Sequence, residues 1–356
     1  MTEQEKLIIY LTKFEISNKK IESVLETLEF SSFDNLMRSG ELSKFLSTDE
    51  FHKAEQEYDK MEFENSLVNM QNSGIEILTI YSKKYPKQLQ NLPDRPLVLY
   101  AKGDLSLLDR LAVGIVGTRM PTNYGRIVTE RFAGELAKSG IVVISGLCYG
   151  VDEIAHRKTL DVGGKTIAIV GSGFNNIYPA KNTSLAKEIE EKGLLLSEYT
   201  PSFKPKKYTF PRRNRIVAGL SNGILITEAA FKSGTTHTKE FALEYGKDVF
   251  AVPGSINNTK SELTNHLIKT AQAECVTSPE DIIEFYGLEK QAKKQKVVEI
   301  SFEEKTILDL LASGEKDMDE LAEKSQIPVG LLNSYLTTLE IRGLIRRMPA
   351  KTYALV

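Results

Sequence analysis

Residues 111–117 read LAVGIVG, residues 141–146 read IVVISG and residues 166–171 read TIAIVG. Each is a run of aliphatic residues closed by a glycine, and helical periodicity fills the spaces between them. A strand with one face in water alternates apolar and polar residues, whereas a near-continuous apolar run needs cover on both faces. Outward from this triplet the same grammar continues in GLLLSEY (193–199), GILITEA (223–229) and DVFAVPG (248–254). Strand, glycine turn and helix in repetition predict an α/β fold, a Rossmann-like doubly wound and mostly parallel sheet. Nearly every run ends in Gly, Ser or Thr, which lines the carboxyl edge of the sheet, where such folds bind ligands, with small residues.

The flanks read differently. Over 1–72 the apolar residues Leu7, Ile8, Leu11, Ile21, Val24, Leu25 and Leu28 recur at helical spacing, which predicts a small helical domain of the SAM or helix-hairpin-helix kind. IEILTIY and PLVLYAKG then lead into an extended Rossmann-like domain over 73–287. A Lys-rich stretch at 288–300 reads as a linker. In 301–356, helices expected at 303–311, 318–324 and 329–342 and a β-prone tail describe a winged-helix domain.

Bulk properties exclude more than they select. Of the 356 residues 41% are hydrophobic, ample for globular folding, and the formal charge of −2 gives no global attraction to a polyanion. A nucleic-acid reading must therefore rest on local charge. Cys148 and Cys275 are far apart and outside any metal-ligand spacing, so neither a metal nor a disulfide is expected. The acidic start and the lack of a long apolar run predict a soluble, cytoplasmic chain without membrane insertion.

Four glycine turns are expected to act as phosphate-binding loops: Gly117-Thr118 beside Arg119, Ser145-Gly146, Gly171-Ser172-Gly173, and Ser233-Gly234-Thr235. Small residues at a helix start present free N–H groups and a positive dipole end, and an adjacent Arg adds bidentate donors. For the first turn the alternative is a tight turn with a solvated Arg. None of the turns is a GxGxxG or a GK[ST], so no nucleotide cofactor is implied. Asp152 and His156 stand one helical turn apart, but no further ligand or nucleophile accompanies them, and a structural pair is expected. Asp152 sits where a helix N-cap belongs, and Asn182 is expected to cap the helix that begins near Leu185.

The most informative stretch runs from Lys204 to Arg215. It holds Lys204, Lys206, Lys207, Tyr208, Phe210, Arg212, Arg213 and Arg215 without one acid. Cations interleaved with aromatics suit single-stranded nucleic acid, because the cations neutralise phosphates and the rings stack on bases. The plainer reading is a solvated basic loop. Glu228 is expected either to accept ribose hydroxyls or to orient Arg213 or Arg215, the second being preferred.

Taken in order, GIVGTRMPTNYG, SGLCYGVDEIAH, GSGFNNIYPAKN, LLSEY, FPRRNRIVAGLS, TEAAFKSGTTHT and FAVPGS resemble the DNA-processing protein A (DprA/Smf) family. The resemblance implies a non-enzymatic single-stranded DNA-binding protein. Such a protein protects DNA entering during natural transformation, helps load the RecA recombinase, and acts as a homodimer. By motif, Arg119, Phe210, Arg212, Arg213 and Arg215 are implied as DNA contacts, with Lys207 and Lys181 matching less closely. The chain departs from the pattern at Tyr149, where the family has Arg, at Cys148 in place of Ala, at Lys239, and across 257–271. A cation is thus missing at position 149, where Tyr is available to stack instead. The alternatives are an enzyme acting on a nucleotide, for which the PGGxGTxxE signature of phosphoribohydrolases is missing, and a duplex-reading regulator acting through the winged helix. The third helix of that domain carries its arginines only near its end.

Overall fold

The computed structural model describes residues 1–288, 300–348 and 352–355, which fall into two compact units, one ending near residue 290 and the other made of the rest. Most of the expected linker, residues 289–299, lies outside the described residues.

The first unit opens with helices α1 (Glu3–Lys13), α2 (Asn18–Thr27), α3 (Phe33–Ser39), α4 (Thr48–Gln56) and α5 (Lys60–Asn72). Ser and Thr caps start several of them, with full capping boxes at Thr2/Glu5 and Ser47/Glu50. Buried Tyr10 sits among the rings of Phe14, Phe33, Tyr58 and Phe63, with centroids 5.1–5.6 Å away. The same core includes Leu97, Val98 and Tyr100, so these helices pack directly on a strand of the sheet.

That sheet has nine strands, β1 (Glu76–Thr79), β2 (Val98–Gly103), β3 (Ala112–Val116), β4 (Val142–Ser145), β5 (Thr166–Val170), β6 (Leu194–Ser197), β7 (Gly223–Ile226), β8 (Asp248–Ala251) and β9 (Glu274–Cys275). Their order is β1-β2-β6-β5-β4-β3-β7-β8-β9. From β6 to β9 all pairings are parallel, and β1 and β2 close one edge antiparallel. Helices α6 (Lys87–Gln90), α7 (Asn123–Lys138), α8 (Val151–Asp161), α9 (Thr183–Lys192), α10 (Thr209–Leu220), α11 (Thr235–Glu244), α12 (Glu262–Lys269) and α13 (Pro279–Phe285) accompany them. Every residue of β3, β4, β5, β6 and β7 is buried, as both-face cover requires. Burying each such aliphatic side chain contributes about 1.5–3 kcal/mol. The chain runs outward from β3 through β4 and β5 to β6 and then returns to β7 on the other side of β3. The strand order therefore reverses between β3 and β7, and a crevice opens at that point beyond the carboxyl ends.

Strand β9 was not expected, being two residues with no apolar pattern of its own. The basic stretch differs more. From Thr209 onward it is not a loop but the start of α10, because Pro211 falls in the first turn, where its missing N–H is no loss.

The second unit is built from α14 (Phe302–Leu311), α15 (Met318–Ser325), α16 (Val329–Ile341), and the antiparallel pair β10 (Ile345–Arg347) and β11 (Tyr353–Leu355), a winged-helix arrangement. Its core gathers Ile307, Leu311, Leu321, Leu332, Leu336, Leu339, Ile345 and Tyr353. Arg342 donates to both carboxylate oxygens of Glu304 at 3.1 Å.

Candidate nucleic-acid interface

A cleft of about 650 Å³ occupies the switch point, and the strand ends supply its floor. Gly117, Thr118 and Arg119 follow β3, Gly146 follows β4, Ser233, Gly234 and Thr235 lead into α11, and Lys207 and Phe210 stand at the start of α10. These expected site residues, scattered over more than a hundred positions, are brought to one opening. Arg119 and Lys207 are exposed there, and no carboxylate lies within ion-pair distance of either among the described residues.

Phe210 leans over Gly171, whose missing Cβ leaves room for the ring; an added Cβ would sit 3.0 Å from Phe210 Cδ1. Tyr178 packs against the same ring with centroids 5.4 Å apart. Two rings therefore border the cations; Tyr178 lies 32 positions from Phe210, and only the fold joins them. The Ser233 hydroxyl is buried at the cleft wall without a partner. Helix α11 starts there with no side-chain cap, so its positive end lies at the cleft without a capping side chain.

The structure corrects the remaining assignments. The start of α7, expected to take a phosphate, already holds a carboxylate. Glu228 accepts from Thr122 N at 2.8 Å and Thr122 Oγ1 at 2.7 Å, and Thr122 in turn caps Gly125 N. Thr118 N donates to Glu228 O at 2.7 Å, so the first glycine turn is largely spent on the fold. Glu228 thus orients neither Arg213 nor Arg215. Ser145 is buried and donates to Ile115 O at 2.7 Å. Ser172 is buried and its carbonyl accepts from Ser197 Oγ, while Gly173 packs on the carbonyls of Thr200 and Pro201. Neither belongs to the cleft.

The three arginines of FPRRNR divide by helical position. Arg213 points inward, 3% exposed, and donates to the carbonyls of Gly146 and Ile169, tying the ends of β4 and β5 together. It forms part of the cleft floor with its donors occupied. Arg215, two residues on and so on the opposite side of the helix, is 4% exposed and donates to Glu198 at 2.5 Å, with Asp94 at 3.5 Å. It is withdrawn from any strand lying in the cleft. Arg212 reaches Glu198 at 3.2 Å and does not line the cleft. Lys181 lies in a neighbouring groove, 3.6 Å from Glu153. Lys206 and Tyr208 both donate to Glu15, which ties the N-terminal helices to the mouth of the cleft.

Asp152 and His156 are both buried and bonded within the fold. Burial holds the Asp152 carboxyl proton above its ordinary range, against the pull of the Arg213 guanidinium. It sits inside the first turn of α8, with Gly150 as the cap, and accepts from Cys148 N at 3.3 Å. His156 bonds Thr166 Oγ1 at 2.7 Å, and burial drives its imidazole down to about 3. Asn182 is the N-cap residue of α9 but its side chain makes no capping hydrogen bond; its amide donates instead to Leu147 O at 3.0 Å and so braces the turn after β4. Among the described residues no group of His, Cys, Asp and Glu is placed to hold a metal ion, and no helix is long and apolar enough to cross a membrane.

Residues 76–287 match the family model described as DNA recombination-mediator protein A, and residues 291–351 match a DprA winged helix domain. Protein Smf of Escherichia coli is 36% identical over 304 residues, which cover 82% of this chain and 80% of that protein. The fold is similar to the X-ray structure of DNA processing protein A from Streptococcus pneumoniae, with TM-score 0.70 and 34% identity over 81% of this chain and 99% of the other. A second structure, of the Helicobacter pylori protein in a study of its single-stranded DNA binding mode, is similar with TM-score 0.55 and 37% identity over 60% of this chain and 95% of that one.

Proposed function

The chain belongs to the DNA recombination-mediator protein A family, and from that premise we propose that it binds single-stranded DNA in the switch-point cleft, protects it, and helps load a RecA recombinase onto it. The observation that carries this reading is the convergence of exposed Arg119 and Lys207 with the Phe210–Tyr178 ring pair around the uncapped start of α11. Cations alone would suit any polyanion. The rings select strands whose bases are free to leave the stack, because a duplex keeps its π-faces covered. Arg119 and Lys207 neutralise phosphates, Phe210 stacks on a base, and Arg213 holds the floor in place. Arg212 and Lys181 stand at the margins, where they reach a strand only as it leaves the cleft. The remaining elements of the proposal are a homodimer and a cytoplasmic setting in natural transformation, and the support for these is family membership.

The test is fluorescence anisotropy of a labelled single strand with wild type, Phe210→Ala and Lys207→Ala. Removing the ring is expected to weaken binding by about 5- to 150-fold, the equivalent of ~1–3 kcal/mol of base stacking. Duplex of the same length should bind more weakly. Equal affinity of all three proteins for the strand excludes this cleft as the site.

A further inference from the structure

Arg119 lines two openings, not one. A second groove, of about 860 Å³, lies between the first half of α7 and the length of α8. Its walls carry Arg126, Arg157, Lys158 and Lys181 besides Arg119, and Tyr149 stands in it with 40% of its surface exposed. Three acids, Glu130, Glu153 and Asp161, share the walls, but Glu153 is already engaged by Arg157 at 3.3 Å and Lys181 at 3.6 Å. Among the described residues no carboxylate is within ion-pair distance of Arg119, Arg126 or Lys158.

The position of Tyr149 is fixed by its neighbour. Gly150 takes φ +79, and an added Cβ would overlap the carbonyls of Thr118 and Arg119. Val151 N donates to Thr118 O at 3.2 Å. The turn that bears Tyr149 is thereby pressed against the backbone of Arg119, the residue the two openings share.

Building on the single-strand reading above, we propose that a strand held in the switch-point cleft continues over Arg119 into this second groove, where one of its bases stacks on Tyr149. An exposed aromatic with cations on either side is what a single strand needs and a duplex cannot use. Arg119 then acts as the saddle of the path, with Phe210 and Tyr178 on one side and Tyr149 on the other.

Strand length separates the two halves of the path. The full chain is titrated with labelled oligothymidylates of about 4 and about 16 nucleotides, the span of site sizes typical of single-strand binders. Tyr149→Ala is expected to lose about 5- to 150-fold affinity for the long strand and none for the short one, while Tyr149→Phe keeps both. Phe210→Ala is expected to weaken both lengths. An unchanged long-strand affinity in Tyr149→Ala overturns the extension, as does an equal loss at both lengths or a Phe variant as weak as the Ala variant. If Phe210→Ala has no effect while Tyr149→Ala does, the first cleft, and with it this path, is wrong.

Discussion

Arg119 and Arg215 are both arginines of family motifs, yet their surroundings assign them opposite tasks. Arg119 is exposed with no acid in reach, whereas Arg215 is buried on Glu198. Arg215→Ala should therefore lower stability, by up to about 3–5 kcal/mol and read as a shifted urea midpoint, because it leaves buried Glu198 with only the part-exposed Arg212. The folded fraction should keep its strand affinity. Arg119→Ala should do the reverse. Sequence marked both positions but could not tell them apart, because a basic run shows charge and not which side of a helix each charge will occupy. A pH effect belongs to this scale too. With its folded pKa pushed down to about 3 from 6.5, His156 refuses a proton that the unfolded chain accepts. Stability should fall as pH drops from about 6.5 towards 3, by ~1.4 kcal/mol per unit for one proton. Asp152 works oppositely: its raised pKa contributes stability below about pH 3.9 that is lost as pH rises through the folded value. Denaturant titrations of His156→Gln over pH 7 to 4 should show a flatter acid limb than wild type, and an unchanged slope would remove His156 from the account.

At the scale of elements, the buried strands were the most legible part, since near-continuous Val, Ile and Leu runs admit little else. The helix starts were the least. The glycine turn after β3 predicts a phosphate at the start of the next helix, but the lack of a side chain at Gly125 makes room there for Glu228, which an added Cβ would overlap. The acid arrives from the end of β7, more than a hundred residues away, and no local pattern announces it. Gly125→Ala should thus cost about 1–3 kcal/mol by overpacking, measured by thermal or urea unfolding. If it is neutral, Glu228 does not hold the start of α7. Helix α10 teaches the same lesson. Its charges were visible, but the helix that sorts them into cleft, floor and far side was not, because tertiary packing and Pro211 decide where the basic run stops being a loop.

For the whole molecule, a formal charge of −2 leaves binding to local geometry. In the second unit α16, the helix that winged-helix proteins lay in a groove, contains no Lys or Arg. On the proposed reading, strand recognition is concentrated at the sheet's switch point, where a parallel order and its reversal bring together turns that lie far apart in the chain. The measurement that tests this most directly is the salt dependence of binding for single and double strands with wild type, Arg119→Ala and Lys207→Ala. The account predicts preference for the single strand, a log–log slope of roughly −0.7 per neutralised phosphate, and a shallower slope in each variant. Equal binding of duplex, or slopes unchanged by either substitution, would contradict it.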